Sequence, residues 1–186
     1  ENPAEGGLVD FHLRRAGAAS LTVHAPGGVE VARIEVPNAR AGINRAVWNL
    51  RYADGGPFVH TGTYEVRVAS GGETATGTLE VREDPRITVS PGVRRTWVEA
   101  MRTLHTLARD TRALATRVRT QRDALPADAP RRRALDEAVR ETAELASRAQ
   151  RLYGDAQGEV APLTGLQREQ QAYYARMLTE LGAAVR

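Results

Sequence analysis

The period of the hydrophobic pattern changes once along this chain, and that change constrains the fold more than any single motif. Before the stretch "EDPRITVSPG", Glu83 to Gly92, short runs alternate apolar and polar residues between Gly-rich turns. After it, long Ala/Leu/Arg stretches repeat their apolar residues every three or four positions. A period of two lays side chains on opposite faces of a strand, and a period near 3.6 lays them along one stripe of a helix. The 186 residues therefore read as an all-β domain at 1–86 and an all-α domain at 87–186. Asp84-Pro85 is the expected hinge, because Pro has no N–H to continue a ladder and stiffens the chain as it leaves the sheet.

In the first half, "VDFHLRR", "SLTVHA", "VEVARIEV", "NRAVWNLRY", "GTYEVRVA" and "TATGTLEVR" are strand-like runs rich in β-branched and aromatic residues. Pro26-Gly27-Gly28, Asp54-Gly55-Gly56-Pro57 and Gly71-Gly72 supply the turns. Six or seven short strands without intervening helices predict an antiparallel sandwich of the immunoglobulin or fibronectin-III kind. If "NRAVWNLRY" is one strand, Trp48, Leu50 and Tyr52 share a face, and Trp48 packs opposite Tyr64, Val66 and Val68.

The second half predicts a three-helix antiparallel bundle, with helices at about 92–125, 129–153 and 165–183. Leu104, Leu107, Thr111, Leu114, Val118, Gln121 and Leu125 form the first stripe, widened by Trp97, Met101, Ala108 and Ala115. Leu135, Ala138, Thr142, Leu145, Ala149 and Leu152 form the second, with Asp128 and Pro130 marking its start and Gly154 its end. Thr164-x-x-Gln167 reads as a capping box opening the third, which continues through Leu166, Gln170, Tyr173, Met177 and Leu181.

Composition narrows the function classes. Every one of the 26 basic residues is Arg, and the formal net charge is only +3. Residues 1–90 carry 9 Arg against 11 acids, and residues 91–186 carry 17 Arg against 12. With no aromatic interleaving and no recognisable module, this charge does not predict nucleic-acid binding. The absence of Cys excludes disulfides, thiolate metal sites and a Cys nucleophile. No apolar run is long enough to span a membrane, and no signal peptide is visible. The chain starts at Glu1 instead of Met, so a piece of a longer parent is expected.

Several stretches together resemble a known family. "NPAEGGLVDFHL", "LTVHAPGGVEVARI", "AGINRAVWNLRY", "GTYEVRV" and "EDPRITVS" are similar to the C-terminal region of secreted proteins with a BNR/sortilin-like β-propeller, often labelled glycosyl hydrolases. The pattern Gly-x-Asn, Trp-[Asp/Asn], Gly-x-Tyr falls on Gly42, Asn44, Trp48, Asn49, Gly62 and Tyr64, and the linker on Asp84, Pro85 and Arg86. The resemblance covers residues 2–90 well and the helices only loosely. It implies an immunoglobulin-like domain similar to that of the flagellar hook-capping protein, followed by a helical segment, outside the cytoplasm. Asn49 stands where Asp is usual, and His60-Thr61 replaces a Pro-rich stretch. No propeller and no Asp-box is present, so the hydrolase label finds no support in these residues.

No constellation for chemistry emerges. His12, His24, His60 and His105 do not have metal-ligand spacing, and no nucleophile elbow, P-loop or dinucleotide fingerprint occurs. No catalytic residue, cofactor or metal is expected. The unusual surface feature is Arg131-Arg132-Arg133 at a helix start, where positive charge opposes the helix dipole. Asp128, Asp136 and Glu137 offset part of that charge, which otherwise suits an acidic protein surface or an anionic membrane surface. The expected function is a non-catalytic structural or interaction module, a peripheral scaffold subunit of an extracytoplasmic or membrane-associated complex. The rival is the accessory tail of a propeller hydrolase that positions substrate or anchors the catalytic domain.

Overall fold

The computed structural model describes residues 6–53, 55–86 and 88–185. The chain divides into two compact units, Glu1–Thr88 and Val89–Arg186. The first contains six strands: β1 (Gly7–Leu13), β2 (Gly17–His24), β3 (Glu30–Ala39), β4 (Gly42–Trp48), β5 (Gly62–Ser70) and β6 (Glu73–Val81). They form two antiparallel sheets, one of two strands in the order β1-β4 and one of four in the order β3-β2-β5-β6.

Alternation decides which side chains meet. Leu21 and Val23 of β2 lie opposite Val68 and Val66 of β5, so both pairs share the inner face of the large sheet. Ala46 and Trp48 of β4 complete the core from the small sheet, with Val31 and Tyr64. Trp48 is 1% exposed and Tyr64 2%. Their rings meet edge to face with centroids 5.2 Å apart, a geometry the ring quadrupoles favour. Both polar tips are satisfied: Trp48 Nε1 donates to the Arg51 carbonyl at 3.0 Å, and the Tyr64 hydroxyl donates to the His60 carbonyl at 2.8 Å. The predicted packing of Trp48 against Tyr64 and Val66 is therefore the packing observed.

The strand predicted to run through Tyr52 instead ends at Trp48. Asn49 Oδ1 accepts the Arg51 backbone N–H at 3.1 Å, the side-chain-to-backbone bond of an Asx turn. Leu50 adopts a left-handed φ of 58°, which breaks the alternation. Trp48, Leu50 and Tyr52 thus do not lie on one face of one strand. The chain makes an excursion held by an Arg51–Phe58 bridge and by Ala53 N–H donating to the Val31 carbonyl at 2.9 Å. Pro57 and Val59 are buried within it. This excursion closes the β3–β4 side of the sandwich.

The second unit packs three helices: α1 (Pro91–Asp123), α2 (Pro130–Ala156) and α3 (Gly165–Ala184). Ser90 caps α1 through its hydroxyl, and Pro91 follows at the first helical position. The capping box of α3 forms as the spacing predicts: Gln167 N–H donates to Thr164 Oγ1 at 3.2 Å, and Thr164 N–H to Gln167 Oε1 at 2.9 Å. At α2 the expected signals are displaced. Ala129, not Asp128, is the N-cap and makes no side-chain bond, and the helix runs past Gly154 to Ala156. Trp97, Met101, Leu104, Leu107, Thr111, Leu114 and Val118 are buried on α1, against Leu135, Thr142, Leu145, Ala149 and Leu152 on α2. Thr111 and Thr142 are fully buried, and each hydroxyl donates to a carbonyl one turn back in its own helix. Trp97 Nε1 donates to the Ala156 carbonyl at 3.1 Å.

Candidate docking surfaces

The residues carrying the family resemblance build one structural unit. Gly42 opens β4 with φ 97°, a left-handed conformation that favours Gly. Asn44 then staples the β3–β4 turn: its Oδ1 accepts the Arg40 N–H at 2.8 Å, and its Nδ2 donates to the Arg40 and Gly42 carbonyls at 2.7 and 3.1 Å. Trp48 follows on the inner face. Gly62, at φ 148°, opens β5, and Tyr64 follows two residues later, also inward. Asp84 accepts the backbone N–H of Arg86 at 2.9 Å and pairs with its guanidinium, which holds the carboxyl down at about 2. Pro85 lies within that turn.

The outer face of the small sheet carries an apolar row. Leu8 lies opposite Val47 and His12 opposite Ile43, and all four residues point away from the core. Leu8 is 42% exposed, Val47 40% and Ile43 80%. Between the two pairs, Arg45 grips Asp10 with two bonds at 2.7 and 2.8 Å. That hydrogen bonding holds the Asp10 carboxyl below the ordinary range and raises the Arg45 guanidinium. Apolar residues grouped on a sheet face in this way mark contact surfaces more often than scattered single ones do.

Opposite the closed β3–β4 side, the sandwich is open. A groove of about 1260 Å³ runs between β1 and the inner faces of β5 and β6. Two strands cannot cover four, and β6 receives the least cover: every residue from Glu73 to Thr78 is exposed, on both faces. Its inward positions are set by register, Ala75 opposite Val68, Gly77 opposite Val66 and Leu79 opposite Tyr64. At the Leu79 end the sheets touch, since a Cβ on Gly7 would meet Leu79 Cδ1 at 2.9 Å. At Gly77 a Cβ would meet nothing within 4 Å. The groove is therefore a wedge, closed at Gly7–Leu79 and open toward Arg14 and Arg15. Nothing in the alternation of "TATGTLEVR" distinguishes this strand from a covered one.

The structure divides the Arg131–Arg133 run. The Arg132 guanidinium turns back and donates to the Leu125 and Arg122 carbonyls, satisfying groups at the C-terminal end of α1. Arg131 and Arg133 are exposed. Arg122 pairs with Asp136 at 3.3 Å and with Asp123 at 2.7 Å. Of the three arginines singled out, one thus acts within the fold and two face solvent.

The four histidines are dispersed. His12 is exposed on the outer sheet face, and His24 is buried, with its ring nitrogens against Thr22 Oγ1 at 2.9 Å and the Gly28 carbonyl at 3.2 Å. His60 lies in the loop before β5, and His105 packs its ring 5.5 Å from that of Tyr153. Among the described residues no group of three or more His, Cys, Asp or Glu is placed to hold a metal ion. Among them also, no helix is long and apolar enough to cross a membrane.

No protein-family model and no curated protein matches this chain. Among solved structures it is distantly similar to FlgD of P. aeruginosa, the flagellar hook-capping protein, with 22% identity and a TM-score of 0.33. That similarity covers 39% of this chain and 57% of the FlgD chain.

Proposed function

We propose that this chain is a non-catalytic docking module, a peripheral scaffold subunit of a larger extracytoplasmic or membrane-associated protein complex. The observation that carries this reading is the apolar row Leu8, Val47 and Ile43 on the outer face of the small sheet. Leaving that face in water is unfavourable, and covering it with a partner removes the cost. Arg131 and Arg133 add charge that tunes association rate and salt sensitivity, while the affinity comes from Leu8, Val47 and Ile43, which flank the Asp10–Arg45 ion pair on that face. The resemblance of residues 2–90 to the C-terminal region of secreted propeller proteins agrees with a location outside the cytoplasm.

The test is isolation from native membranes at low salt. The chain should travel with a larger complex, and Ile43→Asp, at a side chain 80% exposed, should release it while the thermal melt stays cooperative. Recovery of the unaltered protein as a free monomer overturns the reading. Glycosidase turnover by this chain alone moves it to the enzyme class.

A further inference from the structure

We propose that the groove between β1 and β6 binds an extended peptide from a partner protein, added as a new strand along the free edge of β1, with acidic residues at the Arg14–Arg15 end. Three observations converge on it. Among the described strands β1 has one ladder partner, β4, so its other edge presents a row of unpaired backbone groups on the side where β1 and β6 line the groove. Such edges pair readily with an extended chain. The inner surface of β6 is left bare over Glu73–Thr78, where a strand on β1 would lie across Ala75 and Gly77. Their small side chains leave room for Val-sized residues at alternate positions of the peptide, and a strand matching β1 is seven residues long. Finally, Arg14 and Arg15 stand at the open end, exposed and without an ion pair among the described residues. Of the acids on the lining, Asp10 is engaged by Arg45, which leaves Glu73 as the single opposing charge. The mouth is net cationic and suits a carboxylate-bearing segment.

This groove is distinct from the outer apolar face, and its test reads the groove alone. Failure of one leaves the other standing. The probes are capped octapeptides, Asp-Asp-Thr-Val-Thr-Val-Thr-Val and the same residues in reverse order, titrated against the whole chain. One order should bind, protect alternate backbone amides of residues 8–13 from hydrogen exchange, and weaken as salt rises. Gly77→Val should fill the wedge and weaken binding roughly tenfold or more. The site is open and its φ is ordinary, so the fold should tolerate this change, which a thermal melt checks. Arg14→Glu with Arg15→Glu should weaken the acidic peptide and favour a Lys-Lys counterpart.

Should Gly77→Val not fold, amide protection in the unaltered chain decides. The proposal is overturned if neither peptide protects residues 8–13, if Gly77→Val binds as tightly as the original, or if the Lys-Lys peptide binds equally well. It is also overturned if the chain alone protects the same amides while dimerising, because the occupant is then a second copy.

Discussion

The two units of this chain cover their hydrophobic surface in different ways. In the helical unit, apolar positions recur at an even spacing along α1 and α2, and each helix buries its stripe along nearly its whole length. In the β unit the core is concentrated around Trp48 and Tyr64, while one strand of the larger sheet is exposed on both faces for six residues. On α1 and α2 local spacing sets the stripe and its burial is even. On α3 only Tyr174 is buried, and Leu166 and Tyr173 of the stripe predicted there face solvent because α3 packs along a neighbouring line of its surface. Sheet coverage depends on how many strands join each layer, and here two strands face four. Burial that depends on strand partition is where a fold leaves a surface free for a partner.

The sharpest way to break this comparison is to remove the centre of the β core. Trp48→Ala deletes a fully buried indole, its edge-to-face contact and its hydrogen bond to Arg51, and should cost about 3–5 kcal/mol. Thermal melts followed separately by β and helical circular-dichroism signals should show the β transition falling sharply while the helical transition stays in place. Loss of both together would mean that the units fold as one cooperative body. The counterpart is Met101→Ala in α1, a fully buried side chain whose loss should cost about 2–5 kcal/mol. It should lower the helical transition and leave the β signal unchanged. The effect should sit at the lower end of that range if neighbouring side chains collapse into the space more readily than those around Trp48 do.

Much of this architecture is legible in the residues, and the exceptions have identifiable causes. The change of hydrophobic period separates strands from helices, and the spacing of Thr164 and Gln167 gives the start of α3. The end of β4 is harder to read, because Leu50 continues the alternation of "AVWNLRY" while its backbone has turned left-handed. Asn49, a residue that forms turns through its own side chain, is the signal that could have placed the break there. Arg132 reads as one of three like charges because its carbonyl partners at Arg122 and Leu125 come within reach only after the chain reverses between α1 and α2. The groove is the least legible feature. Ala75 and Gly77 alternate with Thr as a half-buried strand would, and only the strand order and their exposure show that no described strand covers them.

The smallest effect at neutral pH, and the one that best separates ring from hydroxyl in the β core, is Tyr64→Phe. The ring and its contact with Trp48 remain, while the hydroxyl bond to the His60 carbonyl is lost, a change of about 1 kcal/mol. The pH dependence carries more information. Burial pushes the Tyr64 phenol up to about 12, with the neighbouring Tyr52 adding to the rise. The native state therefore holds this proton more tightly than the unfolded chain, whose tyrosines titrate near pH 10 by the usual range. The stability contributed by this group is fully present below about pH 10 and is lost as the pH rises through about 12. Unfolding in denaturant across that window should show the β unit of the original protein weakening with pH, and Tyr64→Phe weakening less. A tyrosinate absorbance titration should show a late-titrating phenol in the original protein that the variant lacks. If both proteins lose stability in parallel between pH 10 and 12, Tyr64 is reached by water through the open side of the sandwich, and the core is less sealed around Trp48 than its packing implies.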